Sequence, residues 1–178
     1  IAQCLVGSEM CIETVFEHTR GKKCLVFVNS REECEAVTTT LRQYCEARHE
    51  PDRFLIHHGN LSSAYRETAE TAMKDDDLFL TTVTTATLEL GIDIGSVDSI
   101  AQVAAPWSVA SLRQRLGRSG RRGGRPLLRL FITENVLTRK SSIWDMLRLE
   151  LFQSLAMLSL LSQGRFEPLA PPRPHFST

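Results

Sequence analysis

Short apolar runs, several of them rich in β-branched residues, alternate along this chain with segments whose apolar residues recur at helical spacing. Five runs predict strands, at 24–28, 54–57, 78–83, 99–103 and 127–132. Strands buried in a parallel sheet are apolar along their length because helices cover both faces, and strand–helix alternation is typical of such sheets. The sequence therefore predicts an α/β fold in which helices flank a mainly parallel central sheet in three layers.

Two predicted helices define how this sheet is connected. Ser30 and Glu33 have the spacing of a capping box, which starts a helix directly after the first strand. A last helix is predicted at about 142–161, and it is apolar nearly all round from 151 onward. Its charged residues near the start leave fewer than the roughly 18 apolar residues that suggest a membrane span. We therefore expect a helix buried against a neighbouring domain, and no membrane partner.

The chain of 178 residues fits one domain. Because it lacks an initial Met and ends in a proline-rich segment, we expect a piece of a longer protein, with a domain at 1–164 and a linker at 165–178 that leads to a downstream domain. Its five cysteines form no C-x-x-C pair, which predicts reduced, partly buried thiols in a cytoplasmic protein. His57 and His58 would face opposite sides of a strand, so no metal site is predicted.

Positive charge is concentrated in one segment, although the formal net charge of the chain is zero. Residues 99–133 contain seven arginines and no acid. Within 114–122 the arginines alternate with glycines, which allow close backbone approach, and arginine presents a planar fork of donors suited to phosphate. This pattern predicts contact with a polyphosphate. A solvated face, or one paired with acids from elsewhere in the chain, is the alternative.

Polar clusters follow four of the predicted strands, at 29–31, 58–60, 84–87 and 104–107. Ligands of open parallel sheets bind where the strands end, and helix N-termini at that edge suit phosphates. The sequence has no G-x-x-x-x-G-K-[ST] phosphate loop and no acidic pair after a strand that would hold Mg²⁺. It therefore resembles half of a nucleotide site, whose other half lies elsewhere.

The runs 57–62, 85–95 and 114–121 resemble the C-terminal RecA-like domain of superfamily 2 helicases, in particular the large Lhr-type helicases. The resemblance extends over about 22–174. It implies a RecA-like domain with motifs IV, V and VI, a P-loop NTPase-like fold without its own P-loop. It also implies a parent protein that is an ATP-dependent helicase, with ATP and Mg²⁺ held mainly by an N-terminal RecA-like domain.

The resemblance also implies roles for individual residues. Motif VI assigns catalytic roles to Gln114, Arg118 and Arg121, the two arginines being fingers that reach the γ-phosphate. The nucleotide contacts would be Gly91, Asp93, Arg118 and Arg121. The nucleic-acid contacts would be Asn29, Ser30, Arg31, His58, Gly59, Arg66, Thr85 and Thr87.

Two departures from the DEAD-box pattern refine this hypothesis. Motif VI begins with Gln114 rather than His, and motif V reads Leu-Glu-Leu-Gly-Ile-Asp. Both favour a translocating helicase on single-stranded or partly duplex nucleic acid, with DNA favoured over RNA. One alternative is a non-catalytic nucleic-acid-binding module that uses the Arg/Gly run at 120–125. Another is an interaction domain that has kept the fold and lost catalysis.

Overall fold

The computed structural model describes residues 2–6, 8–89, 94–120 and 124–167, with side chains from Cys11 onward. Its strands are β1 (Ala2–Val6), β2 (Cys24–Phe27), β3 (Phe54–His57), β4 (Thr81–Thr84), β5 (Ser99–Val103) and β6 (Leu128–Glu134). Its helices are α1 (Ser8–Thr19), α2 (Arg31–Ala47), α3 (Ser63–Lys74), α4 (Val109–Leu116), α5 (Ile143–Leu147) and α6 (Leu149–Ser162). A short 3₁₀ turn, Ala86–Leu88, follows β4.

The six strands form one sheet in the order β1-β6-β5-β2-β4-β3, and every neighbouring pair is parallel. β2 lies at the centre, where Cys24 is in register with Thr81 of β4 on one side and Ser99 of β5 on the other. All strands therefore end at the same edge of the sheet. We refer to this edge as the carboxyl edge.

Each face of the sheet packs against helices through its own apolar core, which gives three layers. Along β2, Val26 faces α1 and α2, whereas Leu25 and Phe27 face the opposite side. The first core includes Val15, Phe16, Val37, Leu41, Val83 and Phe131. The second includes Met73, Ile100, Leu112 and Leu130, with Leu158 of α6 packed against it. The predicted three-layer α/β architecture is confirmed.

Some element boundaries differ from the predicted ones. Two elements were not predicted from the sequence: β1, an edge strand beside β6, and α1, a helix on the first core. β4 begins at Thr81 instead of Leu78, and Leu78 and Phe79 are exposed. The backbone N–H of Asp77 donates to Asp75 Oδ1 at 3.0 Å, so a local turn occupies the approach to this strand.

The predicted capping box at the start of α2 is present. Glu33 N donates to Ser30 Oγ at 3.1 Å, and Ser30 N donates to Glu33 Oε2 at 3.2 Å. These two bonds satisfy backbone groups that the first helical turn leaves unpaired. They fix the direction in which the chain leaves the carboxyl edge after β2.

The predicted last helix is divided into α5 and α6. Arg148, between them, has a left-handed φ of +47°, which interrupts the helical path. On α6, Leu158 and Leu161 pack against the second core, whereas Phe152 and Leu155 are exposed. None of the helices within the described ranges is long and apolar enough to cross a membrane.

Four cysteine side chains, Cys11, Cys24, Cys34 and Cys45, are buried and free, which confirms for them the prediction of core thiols. Burial raises the pKa of the Cys34 thiol to about 12. Among the side chains that the structure describes, no three His, Cys, Asp or Glu residues are grouped to hold a metal ion.

Replacing a fully buried leucine should reveal how strongly the first core contributes to stability. Leu41→Ala on α2 should lower the free energy of unfolding by about 2–5 kcal/mol because it leaves a cavity under the helix. Leu155→Ala, at an exposed position of α6, is the matched control and should change it by less than about 0.5 kcal/mol. Urea denaturation followed by circular dichroism measures both, and equal effects would contradict this assignment of the core.

Candidate functional site

The carboxyl edge brings together the segments that follow β2, β3 and β4. Phe27 of β2 and His57 of β3 are both in register with Thr84 of β4, so these three strands end side by side. The predicted nucleic-acid-contacting residues at positions 29–31, 58–59, 85 and 87 lie in the segments that leave these strands. The clustering predicted from the sequence is therefore present, whereas the contacts with nucleic acid stay predictions.

After β2, the three candidate side chains have different local roles. Asn29 is half-buried, and its Nδ2 donates to the backbone oxygen of Ala105 at 2.7 Å. The Ser30 hydroxyl accepts the capping bond of α2. Arg31 is exposed, and its Nη2 lies 2.8 Å from Glu32 Oε1. Arg31 therefore has the greatest freedom to contact a phosphate, because exposed ion pairs of this kind are weak.

Thr87 is held by a buried histidine that the sequence analysis did not identify as part of the site. His57 Nδ1 lies 2.9 Å from the Thr87 hydroxyl, and His57 Nε2 lies 3.0 Å from Glu70 Oε1. The Thr87 hydroxyl is also 3.3 Å from that of Thr84. Thr85, beside it, is half-buried, and its side chain makes no capping bond to the following turn. The orientation of Thr87 is thus fixed from within the protein.

The remaining candidates lie directly after β3 and on α3, and two of them have unsatisfied nitrogens. His58 is buried, and its Nε2 lies 3.4 Å from Glu35 Oε1 without the alignment of a hydrogen bond. It faces α2, whereas His57 faces Thr87, as expected for adjacent strand residues. Arg66 Nε is buried and has no hydrogen-bond partner among the described residues. Gly59 is exposed, and a Cβ there would lie 4.0 Å from Thr87 Cγ2.

Arg118 does not lie at the carboxyl edge, because α4 runs back across the sheet face toward the start of β6. The neighbouring Ser119 forms a bridge with Val97, which precedes β5. The Arg118 guanidinium donates through Nε and Nη2 to the backbone oxygen of Glu89 at 3.1 and 2.7 Å. Gln114 lies on α4 and is exposed. Gly91, Asp93 and Arg121 lie outside the described residues.

A buried ion pair stands beside Arg118. Arg115, only 1% exposed, donates through Nε to Glu89 Oε1 at 2.8 Å, and its Nη2 pairs with the same oxygen. Its Nη1 donates to Gln102 Oε1, and its guanidinium carbon lies 4.7 Å from the ring centre of Phe27. Buried charges are tolerated when they are paired and fully hydrogen-bonded. For Arg115, the alternative that the arginines pair with acids from elsewhere in the chain is therefore correct.

This pair is not predictable from local sequence patterns, because its two members come from different segments. Arg115 lies three residues after the buried Leu112, on the inward stripe of α4, so helical spacing alone could have identified it as buried. Gln102 alternates with Ala101 and Val103 along β5, a pattern that places it on the same face as α4. Nothing in the local sequence indicates that Glu89 supplies the carboxylate.

The segment after α6 returns to α4. Glu167 accepts hydrogen bonds from the backbone N–H groups of Val109 and Ala110, at 2.6 and 3.0 Å. Phe166 lies under Arg113, whose guanidinium carbon is 4.6 Å from the ring centre. The bond from Val109 is the main cause that holds the pKa of Glu167 below its usual value. Residues predicted to begin a linker therefore contact the helix that precedes Arg118.

This contact should depend on pH. Since the pKa of Glu167 is lowered in the folded protein, the stabilisation it gives is fully present above the unfolded-state pKa and is lost as pH falls through the folded value. The amide ¹H and ¹⁵N shifts of Val109 and Ala110 should therefore titrate together in acid. Glu167→Gln should abolish that titration, and its persistence in this variant would show that another group controls these amides.

The chain is similar to known proteins in sequence. The model of the helicase conserved C-terminal domain family matches residues 7–123. The Lhr helicase/uracil glycosylase of Escherichia coli K12 is 32% identical over 183 residues, which cover 88% of this chain and 11% of that protein. The ATP-dependent helicase Lhr-Core of Sulfolobus acidocaldarius is 38% identical over 108 residues, which cover 60% of this chain and 12% of that protein.

A solved structure has a similar fold. The Mycobacterium smegmatis helicase Lhr bound to ssDNA and AMP-PNP superposes with a TM-score of 0.76 at 31% identity, covering 90% of this chain and 20% of that one. The chain spans roughly a tenth of the length of the two curated relatives. The family model covers well over half of the chain, and the sheet has the expected parallel order. The chain belongs to the helicase conserved C-terminal domain family and is a RecA-like C-terminal domain of a superfamily 2 helicase of the Lhr type.

Proposed function

We propose that this chain is the C-terminal motor domain of an ATP-dependent nucleic-acid helicase or translocase. It supplies Arg118 and Arg121 as arginine fingers to ATP bound on the N-terminal RecA-like domain of the same protein. Its carboxyl edge contacts the backbone of one nucleic-acid strand. A relative of the same type has been solved bound to ssDNA and AMP-PNP, an analogue of ATP, which supports both parts of the proposal.

The observation that carries the proposal is the anchoring of Arg118 on the segment that leaves β4. Its guanidinium is held by the Glu89 carbonyl, directly before the motif V positions 91 and 93. A γ-phosphoryl group in transfer spreads negative charge over three oxygens, and an arginine placed beside it accelerates transfer about 10³–10⁵-fold in enzymes of this type. An arginine supplied from a second domain also makes hydrolysis depend on closure of the two domains.

The residues described here suit the phosphate end of a nucleotide but not its metal ion. They offer the Arg118 guanidinium, whereas the described side chains contain no group of three potential metal ligands, and the sequence contains no phosphate-binding glycine loop. ATP and Mg²⁺ are therefore assigned mainly to the N-terminal domain. When bound there, Mg²⁺ neutralises charge on the β- and γ-phosphates.

The carboxyl edge suits a sugar–phosphate backbone more than a base sequence. It presents the exposed cation of Arg31, the half-buried Arg66 and Thr85, and the backbone around Gly59. Contacts of these types position a strand and carry no base information. The proposed polymer is single-stranded or partly duplex nucleic acid, with DNA favoured, in the cytoplasm.

A downstream domain is the second proposed partner within the parent protein. Ile143, Trp144, Met146 and Leu147 of α5 and Phe152 of α6 are each more than 40% exposed, and the helical spacing of the four α5 residues places them on one apolar face. Apolar patches of this kind mark interaction sites. We therefore propose that the last helix packs against a neighbouring domain, and the exposed apolar face supports this.

Removal of the proposed finger should abolish turnover and preserve binding. In the full-length parent, Arg118→Ala or Arg121→Ala should lower ATPase activity stimulated by nucleic acid by about 10³-fold or more, while nucleotide affinity changes little. Stimulation by single-stranded DNA, duplex DNA and RNA should be measured side by side. Arg20→Ala, in the exposed segment before β2, is the control and should retain full activity. Normal turnover in both finger variants would exclude the finger assignment.

The 178-residue chain by itself should not hydrolyse ATP. It lacks the phosphate loop and the acidic residues that hold the metal, so no group in it can bind and activate the nucleotide alone. A phosphate-release assay on the purified chain should give the same rate as buffer. An Arg118→Ala version of the same chain identifies contaminating activity, since a contaminant would be unaffected by the change.

A further inference from the structure

Glu89 contacts two arginines of the arginine-rich segment 99–133 through two different groups. Its carboxylate pairs with Arg115, and its backbone oxygen accepts two hydrogen bonds from Arg118. We propose that Glu89 and Arg115 are positioning residues, which hold the Arg118 guanidinium where it meets the γ-phosphate. This inference rests on the finger role given to Arg118 above.

Arg118 is fixed to the pair at its main chain as well as at its side chain. Its backbone N–H donates to the Arg115 oxygen at 2.9 Å, and its guanidinium binds the Glu89 oxygen. Glu89 is itself tied back by a 3.0 Å bond from its N–H to the Ala86 oxygen. A shift of either member of the pair therefore displaces an anchor of Arg118.

The pair is suited to hold one geometry because it is removed from water. Arg115 and Glu89 are 1% and 8% exposed. Glu89 Oε2 accepts a further bond from the Ser111 hydroxyl at 3.0 Å, and Arg115 is additionally fixed by Gln102 and by the ring of Phe27. Any rearrangement would leave a buried charge without its partner, which is costly. Surface arginines lack this restraint.

A contribution to stability alone would not require an ion pair at this place. Apolar residues of similar volume can replace many buried ion pairs without loss of stability. Positioning and stability can thus be separated by an exchange that keeps the core filled and removes the pairing. In that exchange the backbone oxygen of residue 89 remains as an acceptor, so a loss of turnover reports a change in its position.

The test uses the full-length parent with the double exchange Glu89→Leu/Arg115→Met. We expect the melting temperature to change little, the KM for ATP to stay within about twofold, and kcat at saturating single-stranded DNA to fall roughly 10- to 100-fold, as for displaced catalytic groups. The more conservative Glu89→Gln can still accept a bond from Arg115 and should recover part of kcat. If the double exchange does not fold, Arg115→Lys, which keeps the charge and loses the planar fork, should give the same loss of kcat.

A matched ion pair on the other face of the sheet provides the control, because it lies against Phe16 of the first core instead of Phe27 of the second. Arg53 Nη1 lies 2.9 Å from Glu50 Oε2, both side chains are largely buried, and the Arg53 guanidinium carbon lies 4.4 Å from the ring centre of Phe16. The exchange Glu50→Leu/Arg53→Met should leave kcat unchanged. An equal loss of kcat from this exchange would show a general structural effect and would overturn the inference.

Combination with Arg118→Ala separates the two proposals. If the pair acts through Arg118, the double exchange should cause no further loss in the residual turnover of Arg118→Ala. If the double exchange lowers the residual turnover of Arg118→Ala as strongly as it lowers that of the unchanged protein, the positioning role is overturned. It is also overturned if the double exchange is stable and has normal kcat while Arg118→Ala is inactive. Normal turnover in Arg118→Ala would instead overturn the finger assignment itself.

Discussion

The buried ion pair between Glu89 and Arg115 joins the segment that leaves β4 to the helix that leaves β5. Both charges have lost most of their hydration, and in a protein interior that loss is compensated only by complete pairing. The pairing is completed by Gln102, which accepts a bond from Arg115, and by Ser111, which donates to Glu89; the Arg115 guanidinium also lies against the ring of Phe27. Gln102 Nε2 also lies 3.5 Å from Asn29 Oδ1, at the end of the central strand. The positions of Arg118 and of the polar groups at the carboxyl edge therefore depend on the same interior contacts.

The sheet topology explains why these two groups of residues lie apart. Consecutive parallel strands require each helix to return across a face of the sheet, so α4 carries Arg118 away from the edge where β2, β3 and β4 end. One surface then contains the residues after these strands, and another contains Arg118. This separation suits the proposed motor function, in which nucleic acid and nucleotide would bind at different places and be linked through a packed interior.

The sequence predicted the parallel three-layer sheet, the partial burial of the cysteines and the helix start at Ser30, because these follow from local periodicity, composition and capping. It did not predict β1 and α1, or the break at Arg148, where a left-handed residue interrupts a uniformly apolar run. For the site, the grouping of positions 29, 58, 85 and 87 followed from their place after strands. The pairing of Glu89 with Arg115 and of His57 with Thr87 could not be predicted, since each joins residues 26 or 30 positions apart in the chain.

The carboxylate of Glu167 gives α4 an internal counter-ion. The free N–H groups at the amino end of a helix attract anions, and here two of them are already bonded to this side chain. A phosphate that approaches α4 therefore meets competition at the end where a helix would otherwise attract it. At the other end of α4, Arg113 and Arg115 lie in the last turn, where positive charge offsets the negative pole of the helix. Glu167 therefore occupies the end of α4 at which a helix would otherwise attract a phosphate.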